Sequence, residues 1–334
     1  MIEQIRTAVA GALRERYGAG ATIQRLGTTS QRAWSWQIIV RAEGVPHPDL
    51  LVKVPRWDDA PTLELAMSAD EQPAIIAEFD MLKAIAEAVD DSGDPGLTKV
   101  EPIAYLGAIN GMLMQHVEGQ PLRRSLRLGV NPTKVEALFR RAGHLAAVVH
   151  QIGDPQRRPF DGATASTMTS GLATQAASIA PAALSDSLRR IAAAAVEMDG
   201  ADEPIGTVHG DLNLGNVLVD RVGRVALIDP NPTEGPHQLP DIARFVGEVR
   251  FEKRRLATAG LMGRITARDR WAAAFEDGSG RGDEPMLAFY QTLELGERWL
   301  RIETESRGLR RLGLVPARRL LGRELSQRAA ALGG

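Results

Sequence analysis

The chain has 334 residues, 44% of them hydrophobic, which is enough for a sizeable core in one large bilobal domain or in two domains. A formal net charge of -2 gives no electrostatic case for a nucleic-acid partner or an acidic membrane surface, and the absence of cysteine excludes a disulfide framework, a thiolate nucleophile and a Cys-ligated metal. No apolar run reaches membrane length, and residues 1–18 are amphipathic with charges throughout rather than a signal peptide, so the expectation is a soluble, cytoplasmic protein without a membrane partner.

Ile2, Ile5, Val9, Leu13 and Tyr17 recur at helical spacing and predict a helix over 2–17 that stops near Gly18. A strand follows at 22–26, then a small polar turn at Gly27-Thr28-Thr29-Ser30, then a strand at 34–41. This reads as a hairpin, and it is also the shape of a loop that covers phosphates with backbone N–H groups and hydroxyls. Residues 50–54 form a third strand, apolar except for Lys53, which either snorkels to the surface or meets an anion. Pro73 opens a helix over 73–90 with Ile75, Phe79, Leu82, Ala86 and Val89 as its buried stripe and Glu78 beside that stripe. Strands at 100–106 and 112–117 are joined through Asn110-Gly111, a strong hairpin signal. The pattern breaks at 118–122, so the division is placed after Val117, giving regions 1–117 and 118–334. Beyond it lie a helix over 132–150, a loop-like stretch over 154–170 and helical residues 174–198 interrupted at Pro181. His144 and His150 lack metal-ligand spacing. From 232 onward the chain reads as helical with a slight basic excess, and Gly278–Gly282 reads as a flexible loop.

The most informative stretch is 207–230, TVHGDLNLGNVLVDRVGRVALIDP. Two short alternating runs, 217–219 and 225–228, are joined by a turn containing Gly223. A hairpin of this kind brings Asn216 at its start beside Asp229 at its end, with Asp211 in the loop before it. One carboxylate can then accept a proton, while an amide and a second carboxylate suit a hard cation such as Mg²⁺. Turn and cap roles are the commoner fate of isolated Asp and Asn, but the coupled spacing of three such residues is the layout that phosphoryl transfer needs.

An Asp-x-x-x-x-Asn loop followed by a metal-binding Asp is the protein-kinase arrangement. The His209-Gly210-Asp211 start resembles instead the aminoglycoside phosphotransferase and choline kinase superfamily. The resemblance implies an α+β, bilobal protein-kinase-like fold: an N-terminal ATP-binding lobe with an antiparallel sheet and a helix, and a larger, mainly helical catalytic lobe. It implies Asp211 as catalytic base and Asn216 and Asp229 as ligands of Mg²⁺. Lys53, held by Glu78, would contact the α- and β-phosphates of ATP, and Gly27, Thr28, Thr29 and Ser30 would cover them. Met114 would line the adenine pocket, and the backbone of Gln115 to Val117 would form the hinge that binds adenine. His209 would brace the loop and Asp241 would anchor it from a helix start. Pro230 stands where protein kinases have Phe-Gly, and no Ala-Pro-Glu segment follows, so the resemblance is to kinases of small molecules. The acceptor is expected to be a hydroxyl of a sugar, an aminoglycoside-like compound or an amino alcohol, with the basic excess favouring a neutral or anionic one. A catalytically inactive nucleotide-binding regulator and a protein kinase are the alternatives, and the oligomeric state is not indicated.

Overall fold

The structure is a computed structural model that describes residues 1–32, 34–56, 60–68, 73–126, 131–232, 235–251, 265–305 and 315–332. Stretches 252–264 and 306–314 of the predicted helical C-terminal region lie outside the described residues. The chain divides into two compact units. The first comprises Met1–Pro121 and Leu218–Glu234, the second Leu122–Val217 and Gly235–Gly334.

The first unit is built on a five-stranded antiparallel sheet. Its strands are β1 (Thr22–Gln31), β2 (Ser35–Glu43), β3 (Asp49–Pro55), β4 (Pro102–Leu106) and β5 (Gly111–Gln115), in the order β1-β2-β3-β5-β4. Alternation sends neighbouring side chains to opposite faces. Ile38, Val40, Leu50, Val52, Val54 and Leu113 point into a cluster with Ile5, Val9 and Leu13 of α1 (Ile2–Tyr17), while a short helix, α2 (Leu63–Ser68), closes its edge with Leu63 and Ala66. On the other face Met112 and Met114 pack with Ile75 and Leu82 of α3 (Pro73–Ser92). Asn110, at the β4–β5 connection, takes the left-handed conformation that its Asn-Gly signal called for, after a 3₁₀ turn at Gly107–Ile109.

A second sheet, of three strands, includes the segment just after Val117. The crossover segment forms β6 (Gly119–Pro121), which pairs with β9 (Val217–Asp220), and β10 (Val225–Leu227) flanks β9. Crossover and hairpin are therefore tied to each other, and Ala226 and Ile228 reach into the cluster under α3.

The second unit is mainly helical: α4 (Pro132–His150), α5 (Gly162–Ile179), α6 (Ala182–Glu197), α7 (Gln238–Arg250), α8 (Ile265–Ser279), α9 (Leu287–Glu305) and α10 (Val315–Ala331), with a two-stranded ribbon of β7 (Gln156–Pro159) and β8 (Asp202–Ile205). Two expectations are corrected here. Residues 154–170 are not a loop; they hold β7 and the start of α5, whose N-terminus is capped by Asp161 accepting from Thr164 N–H at 2.8 Å. Gly278 and Ser279 are helical rather than part of a flexible loop, and Gly278 is small because the Arg140 carbonyl of α4 lies 2.1 Å from where its Cβ would stand. Phe139 of α4 stacks on Trp271 of α8, and Phe245 of α7 stacks on Phe275, so these three helices share one aromatic core.

Candidate active site

Strand parity positions Lys53. Its neighbours Val52 and Val54 point beneath α1, so Lys53 faces the same side as Leu51, toward α3. Glu78 lies on α3 between Ile75 and Leu82, beside the buried stripe. Lys53 is 7% exposed, and its Nζ donates to Glu78 Oε1 at 2.5 Å and to Asp229 Oδ1 at 2.8 Å. Burial opposes the charge on Lys53, but the Asp229 and Glu78 carboxylates outweigh it and hold its pKa above that of a free lysine. Burial pushes Glu78 up against the pull of Lys53. With two carboxylates sharing one cation at these distances, a protonated Lys53 is the state the geometry describes. Glu87, further along α3, is exposed and takes no part.

Asp229 reaches this cluster from an unusual backbone. The second hairpin strand stops at Leu227, short of the expected Ile228, and Asp229 has φ 55°. Among the described residues only Asn110 shares a positive φ without being glycine. The left-handed conformation costs a residue with a Cβ roughly 1–2 kcal/mol, a strain of the kind found at functional positions. Its side chain is 44% exposed, so one carboxylate oxygen meets Lys53 while the group remains open to solvent.

The expected phosphate-covering turn is displaced. Gly27, Thr28, Thr29 and Ser30 are residues of β1, which continues to Gln31, and the reversal falls around Arg32 and Trp34. The register with β2 slips between Leu26 and Thr29, so Gly27 and Thr28 form an irregularity within the strand. Gly27 fits there because a Cβ would stand 3.1 Å from the Ile39 carbonyl oxygen. Met114 is buried in the cluster under α3. Gln115 ends β5, accepting the Glu101 N–H on its side-chain oxygen at 3.3 Å, and its backbone N–H donates to the Glu101 carbonyl at 2.8 Å. His116 and Val117 follow outside the strand, with the His116 N–H donating to the Asp49 carbonyl at 3.0 Å and the Val117 carbonyl accepting from Gly119 at 2.8 Å.

In the second unit, the loop 209–216 is held as backbone. Asp241, buried in the first turn of α7, accepts from the N–H groups of His209 at 2.7 Å and Gly210 at 3.0 Å and lies 3.4 Å from His150 Nε2. Burial opposes its charge, but His150 and the His209 N–H outweigh that and hold the Asp241 carboxyl below its usual pKa. Asn213 Oδ1 accepts from Gly215 N–H at 2.8 Å and Asn216 N–H at 3.2 Å, so this residue shapes the loop. Asn216 Nδ2 donates to the Asp211 carbonyl and to Asp211 Oδ2, both at 2.9 Å, so the two residues singled out by the motif are directly joined. Two participants escaped the sequence reading. Arg244 donates to the Gly210 carbonyl, and Glu248 accepts the Leu214 N–H at 2.5 Å. Asp241, Arg244 and Glu248 recur three and then four residues apart, one polar face of α7, and that periodicity was the signal for them.

Residues 63–290 match the family model described as the phosphotransferase enzyme family. No curated protein sequence matches the chain. Among solved structures, one assigned as an aminoglycoside phosphotransferase from Ralstonia eutropha JMP134 is 13% identical, with a TM-score of 0.60 over 96% of this chain and 98% of that one. A glucosamine kinase solved with glucosamine, ADP and inorganic phosphate is 14% identical, with a TM-score of 0.55 over 96% and 98%. A macrolide 2'-phosphotransferase from Brachybacterium faecium is 15% identical, with a TM-score of 0.51 over 93% and 97%. At such identities the likeness establishes the fold, which is the protein-kinase-like α+β fold. No described helix is long and apolar enough to cross a membrane.

Proposed function

The chain belongs to the phosphotransferase enzyme family, whose members phosphorylate small molecules, and from that premise we propose that it transfers the γ-phosphoryl group of ATP to a hydroxyl of a small acceptor. The observation that carries this reading is Lys53, buried yet ionised between Glu78 and Asp229, which come from elements far apart in sequence. Fold stability rarely gains from such a buried charge cluster, whereas a pre-positioned cation for phosphate oxygens requires one. The ADP in the glucosamine kinase complex supports an adenine nucleotide as donor.

Asp211 accepts the proton of the acceptor hydroxyl, and Asn216 orients it by donating to Oδ2. The hydroxyl oxygen bonds to the γ-phosphorus as its bond to the bridging oxygen of the departing ADP breaks. Lys53 fixes the α- and β-phosphates, Glu78 holds Lys53, and the irregular strand at Gly27–Ser30 covers the phosphates. Met114 and the backbone at Gln115 and Val117 receive the adenine. Asn216 and Asp229 suit Mg²⁺. The Asn216 amide nitrogen is committed to Asp211, leaving its oxygen as the ligating atom, and the Asp229 carboxylate is a hard donor open to solvent. When bound, the ion neutralises phosphate charge.

Asp211→Asn tests the assignment. Nucleotide binding, followed by thermal shift with Mg-ATP, is expected to persist, while transfer falls about 10²–10⁴-fold. Transfer at the wild-type rate would refute Asp211 as the base.

A further inference from the structure

Family membership leaves the acceptor open, and the surroundings of Asp211 bear on it. Two guanidinium groups flank the loop 209–216. At its start, Arg244 Nη1 donates to the Gly210 carbonyl and lies 3.9 Å from Asp211 Oδ1. At its end, the backbone N–H of Arg123 donates to the Leu214 carbonyl at 3.1 Å, and its guanidinium lies over Gly215. A Cβ at 215 would stand 1.9 Å from Arg123 Nη2, so any other residue there would expel the guanidinium. Asp211 has Oδ2 taken by the Asn216 amide and Oδ1 on the Arg244 side. The Arg244 and Asp211 side chains are 31% and 49% exposed, and Arg123 is exposed, so all three are open to solvent.

At 3.9 Å the Arg244–Asp211 separation is too long for a hydrogen bond, so the guanidinium is an ion-pair neighbour of the carboxylate rather than its hydrogen-bond partner. A guanidinium beside the base repels a polycationic aminoglycoside or a quaternary amine, and it matches a carboxylate or phosphate in charge and fork geometry. We propose that Arg244, with Arg123 as a second cation, binds a carboxylate or phosphate group on the acceptor close to the hydroxyl that is phosphorylated, so that the substrate is an anionic hydroxy compound. The inference rests on Asp211 being the base. The anionic group is held and not consumed: the hydroxyl loses its proton to Asp211 and gains the phosphoryl group, and ADP leaves.

The test is transfer to matched acceptors, scored by gain of a phosphoryl group and by ADP release: glycerol against glycerate and glycerol 3-phosphate, glucose against gluconate, with glucosamine and choline as cations. The wild type is expected to favour the anionic member of a pair by about 10–100-fold in kcat/KM, the range of a charged hydrogen bond. Glycerate against glycerol 3-phosphate tells carboxylate from phosphate. Arg244→Gln should erase the preference and Arg244→Lys should keep part of it, each variant being checked for folding by thermal melting. Arg123→Ala, at an exposed position, should weaken the preference without altering the melting temperature. Equal or better transfer to neutral or cationic acceptors overturns the inference while leaving the phosphotransferase reading intact. So does an Arg244→Gln variant that slows both members of a pair equally, because that is the signature of support for Gly210 alone. Transfer to no acceptor by the wild type overturns both.

Discussion

Lys53 in the first unit and Asp241 in the second are both nearly buried charges, and they are held in opposite ways. Lys53 is surrounded by other charges: Glu78 at 2.5 Å and Asp229 at 2.8 Å, each from a separate element of the first unit. Asp241 lies beside one histidine, His150, and otherwise meets peptide groups, accepting the N–H of His209 and of Gly210, while Arg244 on the next turn donates to the Gly210 carbonyl. One arrangement keeps a cation between two carboxylates, which the proposed function assigns to an anionic ligand. The other fixes the path of a loop that contains two glycines and could otherwise take many conformations. Under the proposed function, burial of charge serves chemistry in the first unit and geometry in the second, and substitutions can separate the two.

The largest expected effect is on Asp241. Asp241→Ala strips the acceptor from two buried N–H groups, each costing about 1–3 kcal/mol when left unsatisfied, so unfolding by denaturant should show a loss of roughly 3 kcal/mol or more. Because the folded pKa lies below the ordinary value of 3.8, the Asp241 contribution is present above that pH and lost as pH falls below it. Acid should therefore narrow the gap between variant and wild type. A variant as stable as wild type at neutral pH would end the claim that Asp241 is scaffolding.

Lys53→Met should behave in the reverse sense. Paired with Glu78→Leu, so that no charge is left buried without a partner, it puts apolar groups of similar volume in the space, and stability should fall by no more than about 1 kcal/mol. Transfer should fall about 10²–10³-fold, the usual loss when one pre-positioned electrostatic contact to the reacting group is removed. Glu78→Gln, which keeps Asp229 on Lys53, should cost about tenfold, in keeping with one hydrogen bond to a charged group. If the Lys53→Met, Glu78→Leu pair unfolds the protein as severely as Asp241→Ala, the two regions do not differ in kind.

What could be read from the sequence follows the same division. Lys53, Glu78 and Asp229 were legible because each lies in an element with clear periodicity: an apolar strand, a striped helix, a hairpin. Asp211 and Asn216 were legible through fixed spacing within one loop. Gly27 to Ser30 were misread because small polar residues signal a turn, and nothing local announces that a strand absorbs them by slipping register against Ile39. The start of α5 was hidden by its Ser, Thr and Gly content, which looks like loop until the Asp161 cap is noticed. Arg244 and Glu248 were missed for a different reason. Their partners are the Gly210 carbonyl and the Leu214 N–H, and a backbone partner leaves no complementary residue type to find.

The smallest effect sharpens the view of α7 as the scaffold of the loop. His237 precedes the helix, and its Nδ1 lies 3.0 Å from Oε1 of Glu203, a buried carboxylate that also accepts the Tyr290 hydroxyl at 2.7 Å. The hydrogen bond to Glu203 raises the His237 pKa above 6.5, with burial opposing it. A raised folded-state pKa means that the stabilisation is fully present below pH 6.5 and is lost as pH rises through the folded value. Because the imidazole is about half exposed, water screens the pair, and the effect should stay below about 1 kcal/mol. Unfolding measured from pH 6 to 9 should show wild-type stability declining across this window and His237→Gln flattening the decline. If the scaffold view is right, transfer kinetics should not follow that decline, since Asp241 and Arg244 are seated by the aromatic core around Phe245 rather than by the helix end. A transfer rate that tracks His237 titration would instead make the start of α7 part of the switchable machinery.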